Sequence, residues 1–203
     1  MVAAADPYAS GRIDATRTVG LVSVSYANGE DQLTSADEIK QVLGLPILGV
    51  PEKLGGISEE RSATAGTLVA EALAKGDMGL AVAALAPGAV ATAIGLWGTE
   101  QQQETYLPAF TGEDVPGAAL ALSEPTVLFD VLKPATTATR QGDQLVHNGT
   151  KSFVVRGETA ELFIVGADLD GKNVLVLIES STEGLKVEGD PSMGVRAAGL
   201  TRL

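Results

Sequence analysis

The spacing of apolar and polar positions changes near residue 115, so two kinds of structure are expected in one chain. From Ser35 onward apolar residues recur at steps of three and four, the spacing of a helix face. Ser35 and Glu38 form an S-x-x-E capping box, in which two side chains satisfy orphan N–H groups at a helix start. Ile39, Val42 and Leu43 follow on one face, and Gly44 stops the helix. A loop with Pro46, Pro51, Gly55 and Gly56 comes next. Ser58 is then expected to cap a second helix, with Glu59 and Glu60 in the first turn, where the helix dipole favours anions. Ala65, Leu68, Val69, Ala72 and Leu73 form its apolar face, and Lys75-Gly76 ends it. Asp77 opens an Ala-rich run to Trp97, and Pro87-Gly88 in its middle predicts a pair of buried helices. Thr99 and Gln102 make another capping box, for a short helix ending near Pro108.

After Gly112 the period shortens. Strand-like runs stand at 118–123, 136–140, 145–147, 152–155, 162–167, 174–179 and 185–188. Turn signals separate them: Gln141-Gly142-Asp143, Asn148-Gly149, Asp170-Gly171 and Glu183-Gly184. Closely spaced strands with no helix between them predict an antiparallel sandwich or barrel. The expected fold is α+β, with an N-terminal helical segment and then an antiparallel β-sandwich or barrel. Its divisions are an unassigned segment over 1–34, a helical domain over 35–116 and a β-domain over 117–203. Within the first segment, Val19–Tyr26 is a short β-like run and Asn28-Gly29 a turn signal.

Composition narrows the function classes. Apolar residues make up 45% of the 203, enough to build a core. The net charge of -12 argues against nucleic acid, which needs a basic face, and against an anionic membrane surface. With no cysteine there is no disulfide, thiolate metal site or Cys nucleophile. That fits a cytoplasmic protein, and Met1–Ser10 does not resemble a secretory signal. The stretch Gly79–Trp97 approaches membrane-spanning length, but its Ala and Gly content and Pro87-Gly88 favour buried soluble helices.

Little chemistry is visible from residue types alone. The chain has no G-x-G-x-x-G after a strand, no Walker A and no carboxylate spacing that suggests a metal. His147 is the only histidine, which excludes a Ser-His-Asp reading of strength, and a lone strand histidine reads as a surface or cross-strand residue. Asp168 and Asp170 flank a hairpin turn. Two local features remain, each weak by itself: Glu124-Pro125 after the first strand, and the basic-to-aromatic run Lys151–Val155.

Taken together and in order, these pieces resemble the acyl-CoA dehydrogenase family. Leu45 to Gly56 (LPILGVPEKLGG) is similar to its run ending V-P-E-x-x-G-G. Residues 97–103 (WGTEQQQ), with Tyr106-Leu107-Pro108 and Gly112-Glu113, resemble G-x-x-x-Q-x-x-x-x-L-P-x-x-x-x-G-E. Ala121-Leu122-Ser123-Glu124-Pro125 matches A-x-T-E-P with Ser123 for threonine. Residues 148–155 (NGTKSFVV) resemble N-G-x-K-x-W-I-T, and 193–201 (MGVRAAGLT) resemble M-G-x-R-x-s-x-T.

The resemblance implies FAD-dependent α,β-dehydrogenation of an acyl-CoA thioester, an electron-transfer partner, a homo- or hetero-oligomer, and no metal. It puts Leu120, Leu122 and Ser123 along the flavin ring, Phe153 where a tryptophan stacks, and Val155 where a threonine hydroxyl usually sits. After Glu124-Pro125 the family typically continues G-x-G-S-D for the pyrophosphate and the CoA arm. Here Thr126-Val127-Leu128-Phe129-Asp130 follows, so Phe129 and Asp130 are the candidate substrate contacts and only Asp130 keeps its type. No glutamate of the chain is assignable as the base, which the family carries in a C-terminal helical domain after the stretch matched here. The expectation is a dehydrogenase fragment or half-enzyme inactive by itself. The alternatives are a vestigial non-catalytic subunit with an assembly or regulatory role, and an acyl or CoA binding module.

Overall fold

The computed structural model describes residues 36, 39–40, 44–57, 62–142 and 144–203. The Ser35–Glu38 capping box, Val42, Leu43, the Val19–Tyr26 run, the Asn28-Gly29 turn and Ser58-Glu59-Glu60 lie outside them. The described residues form two compact units, one ending at Val115 and the other running from Pro116 to Leu203.

In the first unit, helix α1 spans Ala63–Ala74 and α2 spans Met78–Trp97. Helix α3 spans Glu100–Tyr106. The N-cap of α1 is Ser62, whose hydroxyl accepts the Ala65 N–H at 3.1 Å, so the helix starts four residues after the expected Ser58 cap. Ser58 and Ser62 both precede acidic or small residues, and propensity alone does not choose between them. Val69, Ala72 and Leu73 are buried on the expected face, and Lys75 is the C-cap.

Asp77 caps α2 by accepting the Leu80 N–H at 2.6 Å. The expected break at Pro87-Gly88 does not occur: α2 is one helix of 20 residues with Pro87 inside it. Proline removes one intrahelical bond at a cost of about 3 kcal/mol. Packing offsets this, because ten residues of α2, Pro87 among them, are buried. The 3-10 turn Leu45–Gly49 lies against the small residues of α2. A Cβ on Gly49 would stand 2.6 Å from Thr92 Oγ1 and 2.8 Å from the Gly88 carbonyl, so this approach of backbone to backbone requires glycine. By length and composition α2 could also cross a bilayer, a test that buried core helices pass as well. The α3 capping box is present as expected, with Gln102 N–H on Thr99 Oγ1 at 3.2 Å and Thr99 N–H on Gln102 Oε1 at 2.9 Å.

Among the described residues the second unit has eight strands: β1 Ala118–Ala121, β2 Thr137–Gln141, β3 Gln144–Asn148, β4 Val154–Val155, β5 Leu162–Leu169, β6 Lys172–Glu179, β7 Glu188–Gly189 and β8 Leu200–Arg202. They make a five-stranded sheet ordered β1-β5-β2-β3, with β6 on β5, and a three-stranded sheet ordered β4-β8-β7. Neither sheet is a closed barrel, so the sandwich half of the expectation holds. Four strand pairs are antiparallel, but β1 and β2 both run parallel to β5. Parallel partners are joined by long crossovers, which the spacing of consecutive strands does not reveal. The β5–β6 hairpin turns at Asp170-Gly171, both with positive φ (54° and 77°), and Asp168 Oδ1 accepts the Gly171 N–H at 3.0 Å. Three strands differ from expectation. The run 152–155 keeps only Val154–Val155, the run 185–188 is displaced to Glu188–Gly189, and β8 was not foreseen. The core joins both sheets: Ala119, Ala121, Phe163 and Val165 from the larger, Val154 from the smaller, closed by Ile178, Val187 and Leu203.

Candidate functional site

The two weak sequence features are one structure. Glu124 follows the end of β1 and Lys151 precedes β4, and their side chains meet at 2.8 Å with only 4% and 2% exposure. Glu124 Oε1 also accepts the Thr136 hydroxyl at 2.6 Å and the Thr136 N–H at 2.9 Å, while Oε2 accepts the Ala135 N–H at 2.8 Å. Lys151 Nζ donates a second bond to the Leu122 carbonyl at 3.2 Å. Beside it, the Ser152 N–H donates to the Ser123 carbonyl at 2.9 Å. The main chain of Lys151 exchanges both hydrogen bonds with Leu203, at 2.9 and 3.0 Å.

This cluster has an electrostatic consequence. Burial by itself would raise the pKa of Glu124. The Lys151 ammonium, the Thr136 hydroxyl and the Thr136 and Ala135 N–H groups outweigh that and hold it down to about 2, against an ordinary 4.5. A depression of that size means that the folded chain favours the ionised over the protonated carboxyl by roughly 3 kcal/mol more than the unfolded chain does. Because the folded pKa lies below the unfolded one, that contribution is fully present above about pH 4.5 and is lost as pH falls towards 2. The expected result is a fall in urea midpoint across that window beyond the fall of a Glu124→Gln variant, whose profile is flatter there. Equal slopes for the two proteins would refute the assignment.

The structure brings the Leu122–Ser123 step against Lys151–Ser152, and so next to Phe153. Leu120 is half-buried in β1 opposite Ile164, and Leu122 and Ser123 are half-buried after it. Phe153 is 60% exposed and has φ +55°, a left-handed backbone that costs an aromatic residue about 1–3 kcal/mol. Val155 is half-buried in β4, paired with Leu200. The hydroxyl and N–H of Ser123 bond no described residue. An exposed aromatic ring and free donors on adjacent segments suit a flat heteroaromatic ring with acceptors on its edge.

Phe129 and Asp130 are placed differently. Asp130 Oδ1 accepts the Leu132 N–H of its own turn at 3.0 Å, and Phe129 is half-buried. Around them Val127 and Leu128 are 93% and 95% exposed. Leu128 has φ +58° in the position of the second glycine of the G-x-G-S-D pattern, so the turn keeps a glycine-type backbone while carrying a leucine. The Asn173 side-chain amide donates to the Leu132 carbonyl and pins the far end of this loop to β6. The segment therefore does not offer the bare backbone that a diphosphate needs for close approach.

His147 lies in β3 opposite Ala138, a cross-strand position. Both ring nitrogens are buried and without a partner, and burial pushes its pKa down. Among the described residues no three His, Cys, Asp or Glu side chains gather to hold a metal ion. Sequence reasoning missed the Glu124–Thr136–Lys151 cluster. Its only trace was an acidic residue before proline and a lysine after an Asn-Gly turn.

The family model for the acyl-CoA dehydrogenase N-terminal domain matches residues 29–114, and the model for the middle domain matches 119–203. The short/branched chain specific acyl-CoA dehydrogenase of Bos taurus mitochondria is 33% identical over 163 residues, 76% of this chain and 37% of that protein. A probable acyl-CoA dehydrogenase from Mycobacterium abscessus superposes with a TM-score of 0.73 at 25% identity, covering 93% of this chain and 53% of that one. An acyl-CoA dehydrogenase from Bacillus anthracis, solved in complex with FAD, superposes with a TM-score of 0.71 at 25% identity, covering 95% and 36%. The chain thus spans about a third to a half of the length of these relatives.

Proposed function

The chain belongs to the acyl-CoA dehydrogenase family, and from that premise we propose that its β-unit supplies the flavin-facing wall of an FAD-dependent oxidoreductase acting on the CH–CH group of acyl-CoA thioesters. Members of the family are FAD-dependent flavoproteins. The observation that carries the reading is the Ser152 N–H bond to the Ser123 carbonyl, which holds Ser123 against the residue that precedes the exposed Phe153. Leu120, Leu122, Ser123, Phe153 and Val155 would hold the ring. When bound, FAD supplies the acceptor for a hydride from the substrate β-carbon. The chain's part is to orient that acceptor: Phe153 offers a stacking face, and Ser123 a hydroxyl and an N–H for the ring edge. Val155 has no hydroxyl, so one ring-edge bond seen in the family's threonine pattern is not made here.

The diphosphate end fits less well. Thr126, Leu128 and Phe129 stand where the G-x-G-S-D pattern has the small residues that admit a phosphate. This favours, as a second reading, a subunit that has given up catalysis and serves assembly or regulation. Acyl-CoA, an electron-transfer partner and a further copy of this chain or of a related subunit are the proposed partners, and no carboxylate of the chain is assigned as the base.

Titrating the purified chain with FAD while following flavin fluorescence and the visible band tests the reading. FAD binding with a shifted, structured band is the expected result. Restoring glycine at 126 and 128 together should tighten binding about tenfold, since a hydrogen bond to a charged phosphate is worth about 1.5–3 kcal/mol. A folded wild-type chain that leaves FAD fluorescence unchanged, with or without acyl-CoA, would sink the enzyme reading and leave the non-catalytic one.

A further inference from the structure

We infer that Glu124 and Lys151 are positioning residues for the flavin ring, acting through Ser123 on one side and Phe153 on the other. The inference rests on the flavin reading above and names the device that sets its geometry.

Lys151 Nζ occupies the Leu122 carbonyl and the Ser152 N–H occupies the Ser123 carbonyl. The backbone acceptors of this step are therefore taken from one side by a single segment. What Ser123 keeps for a ligand is its N–H and its hydroxyl, and the pyrimidine edge of a flavin carries carbonyls and ring nitrogens that accept from such groups. The same lysine controls the other contact. Phe153 sits in a strained left-handed conformation with its ring exposed. Such a conformation persists only where the surroundings over-determine it. Here it is bracketed on both sides. Lys151 is tied to Glu124, Leu122 and Leu203 before it, and Val154 is tied after it to β8, with the Thr201 hydroxyl on the Val154 carbonyl at 2.9 Å. Glu124 is in turn oriented by Thr136 and Ala135. A buried charge pair of this kind is a poor source of net stability, because desolvation cancels most of its attraction, but it fixes one arrangement. The arrangement fixed here is the distance between the two ring contacts.

The test separates positioning from stability. Glu124→Gln, the paired Glu124→Leu with Lys151→Met, and Ile178→Ala in the core away from the cluster are compared with wild type. FAD affinity and the visible band are read well below each unfolding transition, and the Phe153 amide and ring resonances are read without flavin. The expected result is FAD binding weakened roughly tenfold to a hundredfold in Glu124→Gln and in the paired variant, with an altered band. The Phe153 resonances move in both, while Ile178→Ala loses stability with affinity, band and Phe153 unchanged. A folded paired variant with wild-type affinity, band and Phe153 resonances would overturn the inference. If wild type binds no flavin, the reading beneath it fails. The Phe153 resonances then still decide whether the pair sets that residue, and unmoved resonances overturn this too.

Discussion

Replacing Lys151 alone with methionine is expected to lower the unfolding free energy of the β-unit by about 3–5 kcal/mol, enough to unfold a marginal domain. The reason is the group left behind. Glu124 keeps three donors from Thr136 and Ala135, but it is buried and its counter-charge is gone. An uncompensated carboxylate in a poorly polarisable interior must take up a proton or draw in water, and either costs far more than a surface ion pair would. Replacing both partners, Glu124→Leu with Lys151→Met, should recover most of that loss, because the desolvation of two charges disappears with them. The remaining deficit comes from the loop 125–134, whose end is held by the N–H groups that Glu124 accepts. Urea denaturation of the single and paired variants, followed by circular dichroism, checks this. A single variant as stable as wild type would mean the pair is not buried as described.

A second large effect is expected at Gly56. Its added Cβ would lie 1.7 Å from the Val50 carbonyl oxygen and 2.5 Å from its carbon. The obstacle is backbone, so no rotamer change relieves it. The turn is also closed by its own bonds, with Leu54 and Gly56 N–H both on the Pro51 carbonyl and Gly55 N–H on Glu52. Gly55 has φ +95°, so the pair of glycines serves two different needs, a left-handed residue and then a close approach. Gly56→Ala should cost roughly 3–5 kcal/mol in the first unit, at the severe end for one methyl group. Gly66→Ala is the matched control, because it lies in α1 with nothing within 4 Å of its Cβ. It should stabilise by about 0.5–1 kcal/mol through helix propensity. Thermal melts of the two read the contrast, and similar midpoints would refute the close approach at Gly56.

Much of the chain's local structure was decided within a few residues. The Thr99–Gln102 capping box, the Asp77 cap, the buried face of α1 and the Asp170-Gly171 turn all form where the sequence places them. Each depends on groups at most four positions apart, so the interaction is written in the chain itself. The ordered motifs also carried the family, since several matches in register are far more specific than one. Tertiary structure decided the rest. Pro87 stays inside a helix because the burial of α2 outweighs one lost bond. β1 and β2 run parallel to β5 because distant segments share its edge. Ser152 and Phe153 leave the expected strand because Lys151, 27 residues from Glu124, is drawn to it and sets the backbone that follows. In each case the winning term is burial or charge pairing between residues far apart in sequence. Local propensity contains neither term.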